Sequence, residues 1–393
     1  MNLYINDFGI ACCLGSNKQE IKDKLIAGDR SGLRLSDEFI VDRTIVIGQV
    51  IDSMPEIPDY LKVYVCRNNQ LLLAALSQID LLVKNLISQF GADRIGIVLG
   101  TSTSGVRHTE MALSHLATVG ELPRDFHYKQ QQMGAGSDFL AKYLNISGPS
   151  YTLSSACASS GKAFASAKRL LETNSCDAVI VGGADSLCRL TINGFSALES
   201  LSKTFCKPFG ASRDGINIGE AASLFVLSRV PGPIRLAGIA STSDAYHYSA
   251  PDPAGSSVVQ AMAKALEQAG LKANQVDYLN LHGTGTILND AMESRAVDTL
   301  FSNNVAVSSS KGMTGHTLGA AAALELGFCC LLLSGNESDR NVIPNINNDD
   351  IDKSLPELNW VKLGQRLNKT INVCQSNSFA FGGSNVSIVV TRV

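Results

Sequence analysis

Aromatic residues make up only 6% of the 393-residue chain and include a single tryptophan. Charge is sparse as well: 18% of residues are charged, and the formal net charge is −3. Such a balance offers no general attraction to nucleic acid or to an anionic membrane surface, so an acidic partner must be met by a local basic patch. The 10 cysteines contain no Cys-x-x-Cys pair, which removes the usual zinc spacing. Cys12-Cys13 and Cys329-Cys330 are adjacent and poorly placed to bridge each other, a usage that fits a reducing, cytoplasmic setting. A Walker-type loop and a dinucleotide fingerprint ahead of a helix are absent, so neither a cofactor nor a metal is expected. The N-terminus has no basic stretch followed by an apolar core, and Asp7 interrupts its early apolar run, which argues against a signal peptide. Long hydrophobic runs are missing too. The nearest approach, residues 318–333, carries Glu325 in its middle and falls short of the roughly 20 residues of a membrane span. A central buried helix is the better expectation, with Gly319, the alanines at 320–323 and Gly327 letting neighbours approach closely.

What remains is a chain that is 45% hydrophobic, enough for a large core in one or two domains. Strand-like runs recur at residues 3–11, 94–100, 151–155, 178–182 and 223–227. They resume at 234–241, 276–281, 305–309, 371–375 and 386–391. Helical patterns at 65–89, 158–173, 256–269, 289–300 and 317–333 are interleaved with them, so the fold class is α/β. A turn-rich segment, Val230-Pro231-Gly-Pro233, divides the alternation into halves 1–230 and 231–393 that echo each other: strand, polar loop, alanine-rich helix. The glycine run Val181-Gly-Gly-Ala-Asp185 is read as a tight turn closing a strand, not as a phosphate cradle.

The chemistry-bearing residues fall at strand ends. Ser154-Ser-Ala-Cys157-Ala-Ser-Ser-Gly161 joins a β-prone stretch to a helical one, a place where the positive end of a helix dipole lowers the cost of a thiolate. Leu281-His282-Gly-Thr-Gly-Thr286 follows another strand-like run, and Ser309-Ser-Lys311-Gly-Met-Thr-Gly-His316 a third. A core histidine would more often lie inside an element among apolar neighbours.

These motifs, with Asn377-Ser-Phe-Ala-Phe-Gly-Gly-Ser-Asn385, resemble the β-ketoacyl-[acyl-carrier-protein] synthases, specifically the elongating type with a Cys-His-His site, from end to end of the chain. The resemblance implies a duplicated thiolase-like fold with five layers, α-β-α-β-α. It implies that Cys157 takes an acyl group from a thioester, that the amides of Cys157 and Phe381 form the oxyanion hole, and that His282 and His316 serve decarboxylation of a malonyl thioester. It further assigns Lys311 as the charge that orients the cluster, Glu325 as its buried partner, and Phe379, Phe381, Thr103 and Phe195 as gate or lining of the acyl pocket.

Implied partners are acyl and malonyl thioesters, an acyl carrier protein, and a second subunit, either identical or a related chain-length-factor-like chain. Lys62, Arg67, Lys203 and Lys207 are candidates for meeting an acidic carrier, with Glu199 opposing them. A small polar residue at Thr103, together with Gly134-Ala-Gly136 near the expected dimer interface, suggests a specialised pathway leading to an aryl polyene or another polyketide-like product. Alanine and serine within Gly219-Glu-Ala-Ala-Ser223, and alanine at Ala380, depart from family glycines. Two alternatives stay open: a degradative thiolase, which would need a second cysteine in the loop ending at Gly383, and a non-condensing partner subunit, which would lack the nucleophile.

Overall fold

The structure, a computed structural model, describes residues 1–336 and 338–393. Its frame is one 11-stranded sheet. The strands are β1 (Tyr4–Cys12), β2 (Ile95–Gly100), β3 (Ser150–Leu153), β4 (Ala178–Asp185), β5 (Ala221–Ser228), β6 (Ile234–Ser243), β7 (Tyr278–Asn280), β8 (Ala306–Ser308), β9 (Asn359–Trp360), β10 (Val373–Ala380) and β11 (Ser384–Arg392).

The spatial order shows the duplication. The first half runs β3-β2-β4-β5-β1 and the second β8-β7-β10-β11-β6. In both, the first two pairings are parallel and the last two antiparallel. The halves meet edge to edge through a short antiparallel contact, Tyr4 with Arg235 and Ile5 with Ile234, while β9 extends the far edge beside β8.

Helices cover both faces of each half. Helices α1 (Arg67–Leu76) and α2 (Ala135–Leu144) cover the outside of the first half, α3 (Ser159–Glu172) and α6 (Ala321–Leu333) fill the centre, and α4 (Ser256–Ala269) and α5 (Ile287–Phe301) cover the outside of the second. This is the five-layer α-β-α-β-α arrangement. Every residue of β4 and β5 is buried, which is why these strands read as unbroken apolar runs instead of alternating. All of α6 is buried as well, Glu325 included, and a side chain at Gly327 would fall 2.7 Å from Ile10 Cδ1. No single helix among the described residues is long and apolar enough to cross a membrane.

Two local expectations change. The helical pattern at 65–89 is two helices, α1 and Asp80–Phe90, bent by 77°. Gln78 sits at the break, its side-chain amide donating to Ile10 O at 2.7 Å and to Ala74 O while accepting from Ile10 N, which ties the break to β1. The Gly182-Gly183 pair is not a turn: both glycines lie within β4, paired to β2 and β5. A Cβ on Gly182 would lie 1.9 Å from Ser223 O, so close strand approach explains it.

Candidate active site

Three strand ends converge beside α3 and α6. Cys157 follows β3 in a sharp turn with Ala156 at φ +46°, a left-handed conformation costing an alanine on the order of 1–3 kcal/mol. Ser159 offsets part of that cost, because its hydroxyl donates to Ala156 O at 2.6 Å and accepts from Ser155 N at 2.8 Å. Gly161 is required by the helix crossing: a Cβ there would lie 2.4 Å from Val386 Cγ1 and 3.2 Å from Ala322 Cβ.

His282 caps β7, and two carboxylates on α5 hold its glycine-rich loop. Glu293 accepts from the N–H groups of His282 and Gly283, each at 2.7 Å. Asp290 accepts from Thr284 N, Gly285 N and Phe209 N. Burial pushes the Glu293 carboxyl up to about 8 and that of Asp290 to about 6, against the pull of these donors. Neither residue was singled out from the sequence. The available signal was their spacing, one helical turn apart and directly after a glycine-rich loop.

His316 follows a short helix, Lys311–Thr314, and is anchored by its own N–H to Asn217 O at 2.6 Å. Its Nε2 lies 2.9 Å from Cys157 Sγ. The rings of His282 and His316 are 5.3 Å apart and nearly perpendicular. Lys311 Nζ donates to His282 O at 2.6 Å, approaches His282 Nδ1 at 3.4 Å and pairs with Glu325. The Lys311 approach to Nδ1 leaves His282 Nε2 as the N–H-bearing atom, free to donate into the site. Cys157, His282, His316, Lys311 and Glu325 are all buried.

Burial also sets the protonation states. It pushes the Cys157 thiol up to about 11, although Lys311 and the backbone N–H groups of Phe381 and Cys157 pull it down. The helix-end effect expected to favour thiolate is therefore outweighed. Burial, with Lys311 adding to it, holds both histidines well below the ordinary imidazole value. The resting site is a neutral thiol beside two neutral imidazoles.

The thiol and histidines line a chamber of about 20 Å³, room for roughly one water, together with Phe195, Phe379 and Phe381. Phe195 and Phe381 meet at 5.5 Å between ring centres, and Phe379 packs edge-on to His282. Beyond them a cleft of about 280 Å³ shares Phe379, Phe381, Ser200, Thr286 and Asn289 with the chamber. Its rim carries Glu199, Asp214 and Asp244 and no lysine or arginine.

Other expected positions fall elsewhere. Thr103 does not line the chamber; its hydroxyl and N–H both bond Asp185 Oδ1 at 2.9 Å. Arg67 is not free for a partner, being paired with the fully buried Glu220 at 2.6 Å and bonded to Val50 O. Lys207 donates to Ser212 at 2.8 Å, whereas Lys62 and Lys203 are exposed. Gly134-Ala-Gly136 opens α2, where Gly136 faces Leu72 and Leu99. Cys374 is buried in the core within β10, so Cys157 is the cysteine lining the chamber. Residues the sequence separates widely thus form a compact donor set: the ligand-type atoms of Cys157, His282 and His316 lie within 4.8 Å of one another.

Comparison with known proteins agrees with this geometry. Residues 70–231 match the beta-ketoacyl synthase N-terminal domain and residues 234–348 its C-terminal domain. The 3-oxoacyl-[acyl-carrier-protein] synthase 2 of Synechocystis sp. is 32% identical over 328 residues, covering 79% of this chain and 77% of that protein. Its counterpart from Coxiella burnetii is 32% identical, covering 78% and 77%. Among solved structures, a ketosynthase from Xenorhabdus doucetiae, in complex with its chain length factor, superposes with a TM-score of 0.95 at 43% identity, covering 100% of this chain and 98% of that one. A beta-ketoacyl synthase from Burkholderia phymatum gives 0.87 at 26% identity, covering 100% and 99%.

Proposed function

The chain belongs to the β-ketoacyl synthase family, and from that premise we propose that it joins an acyl group held on Cys157 to a malonyl thioester with loss of carbon dioxide. The observation that carries the residue assignment is the 2.9 Å contact between a neutral His316 Nε2 and the Cys157 thiol, inside a buried chamber shared with His282.

In the first half-reaction Cys157 Sγ attacks the acyl thioester carbonyl while His316 Nε2 accepts the thiol proton. The oxyanion is met by the N–H groups of Cys157 and Phe381, each donor of this kind being worth about 3 kcal/mol. Collapse expels the donor as a thiolate, which takes the proton from His316, and leaves the acyl-enzyme. In the second, the malonyl thioester carbonyl accepts from His282 Nε2–H. The carbon–carboxylate bond breaks, its electron pair forms the enolate, and carbon dioxide departs. The enolate carbon attacks the acyl carbonyl, the same two N–H groups hold the new oxyanion, and collapse releases the β-ketoacyl product and the Cys157 thiolate, which takes one proton from water to restore the resting thiol. Lys311, fixed by Glu325, keeps the His282 proton on the chamber side.

The substrates are read as thioesters on an acyl carrier protein whose arm enters through the cleft, and exposed Lys203 and Lys62 remain the carrier-facing candidates. The second subunit is read as a chain-length-factor-like chain, supported by the 43% identity to the X. doucetiae ketosynthase solved with such a partner. A specialised polyketide-type product follows from that likeness, no longer from Thr103. All 10 cysteines are free and buried, which supports a reducing, cytoplasmic setting.

Intact mass measurement after incubation with acyl-carrier proteins, in the presence of the partner subunit, tests the assignment. An acyl mass gain lost in Cys157→Ala is expected; a gain that persists in the variant overturns it.

A further inference from the structure

Next to the turns that carry the reacting pair lies a carboxylate that the chemistry above does not use. Asp185 ends β4, is fully buried, and has no lysine or arginine within ion-pair distance among the described residues. Its oxygens are instead taken up by donors from two segments. Oδ1 accepts from Thr101 Oγ1 at 2.5 Å, Ser102 N at 2.8 Å, and both Thr103 N and Thr103 Oγ1 at 2.9 Å. Oδ2 accepts from Gly319 N at 2.6 Å and Ser102 N at 3.0 Å.

Those two segments flank the reacting pair. Ser102 Oγ donates to Ala156 O at 3.2 Å, reaching the residue just before the nucleophile. Gly319 lies three residues after His316, across a turn whose Leu318 is held at φ +51°. Gly319 is there because nothing larger fits: a Cβ would stand 2.7 Å from Ser102 N and 2.8 Å from Asp185 Oδ2. The chain therefore bends sharply at Ala156 and at Leu318, and one carboxylate ties both bends together. It does so across the two halves of the molecule, because Ala156 belongs to the first and Gly319 to the second.

We propose that Asp185 is a positioning residue that fixes the separation of Cys157 Sγ and His316 Nε2 by clamping the two turns that carry them. It touches no substrate. Burial is the main force holding the thiol protonated; among the charges acting on it, Lys311 favours the thiolate and Asp185 opposes it to a lesser degree, while His282 and His316 beside it are neutral. Asp185 thus holds the geometry for attack.

The proposal deepens the condensing reading, and its test separates the two. Asp185→Asn keeps the shape but turns one acceptor oxygen into a donor, which must then face either Gly319 N–H or the Thr101–Thr103 donors. With a simple acyl thioester as donor, the variant should lose about 10- to 100-fold in kcat with KM little changed, the scale of a misplaced reacting pair. Alkylation of Cys157 by iodoacetamide, which needs no substrate, should shift its midpoint to lower pH in Asp185→Asn and return toward the original in Asp185→Glu. A merely structural residue would not move that midpoint. Ser102→Ala removes only the tie to Ala156 and should lower kcat with the midpoint unchanged. Wild-type kcat and an unmoved midpoint in folded Asp185→Asn, or wild-type kcat in Ser102→Ala should the first variant not fold, overturns the clamp. An absence of acylation in the wild-type protein itself would strike the condensing reading and leave the alkylation arm to decide.

Discussion

Replacing Lys311 by methionine tests whether the ion pair under the site is a net burden that its chemistry requires. Lys311 and Glu325 are 1% and 2% exposed, so both charges have left water almost completely. Removing one partner strands the other, and for a buried pair this costs about 3–5 kcal/mol, whereas replacing both by apolar groups of similar volume is often neutral or favourable. Glu325 is already poorly served: its Oε2 has no hydrogen-bond partner among the described residues. Burial outweighs Lys311 and raises its carboxyl from 4.5 to about 7. A carboxyl whose folded value lies above its unfolded one favours folding fully below 4.5, and that contribution is lost as pH rises through about 7. Without Lys311 the carboxyl rises further, so the penalty in Lys311→Met should be largest near pH 8 and shrink toward pH 5. Urea denaturation at both pH values, on the wild type, Lys311→Met and Lys311→Met/Glu325→Leu, reads this directly. The double variant should recover most of the lost stability yet stay inactive, because His282 Nδ1 has still lost the ammonium beside it. A single variant as stable as wild type at pH 8, or a double no more stable than the single, refutes the reasoning.

Two further outcomes follow from the same geometry. His316→Ala should slow acylation of Cys157 by roughly 10²- to 10⁴-fold, the span of a lost proton acceptor, while His282→Ala should acylate normally and fail to release carbon dioxide from the malonyl thioester; equal loss of both steps in both variants would erase the division of labour. Gly161→Ala adds a methyl 2.4 Å from Val386 Cγ1 and should lower stability by about 1–3 kcal/mol; an unchanged denaturation midpoint would show that α3 and β11 can part without cost.

The strands were legible because both of their faces are buried, so β4 and β5 wrote themselves as apolar runs in any register. Cys157, His282 and His316 were legible because each lies in a small-residue motif at a strand end. What stayed hidden depends on partners far away in the chain. At the bend between α1 and the following helix, Gln78 reaches Ile10, a bond across 68 positions. Asp290, Glu293 and Asp185 each serve backbone N–H groups, and backbone donors leave no mark in side-chain identity. The partners of Thr103 and Arg67 stayed hidden for the same reason: Asp185 and Glu220, which bond them, are 82 and 153 residues away. Protonation shows the limit most clearly. The local pattern at Cys157, a thiol before a helix, argues for an easier thiolate, and that argument is correct about the helix. Yet the thiol sits at about 11 because the chamber around it is assembled from five other stretches of chain, and desolvation by those stretches exceeds what one helix end supplies. The activating group must therefore act during the reaction, which is the role His316 is placed to fill.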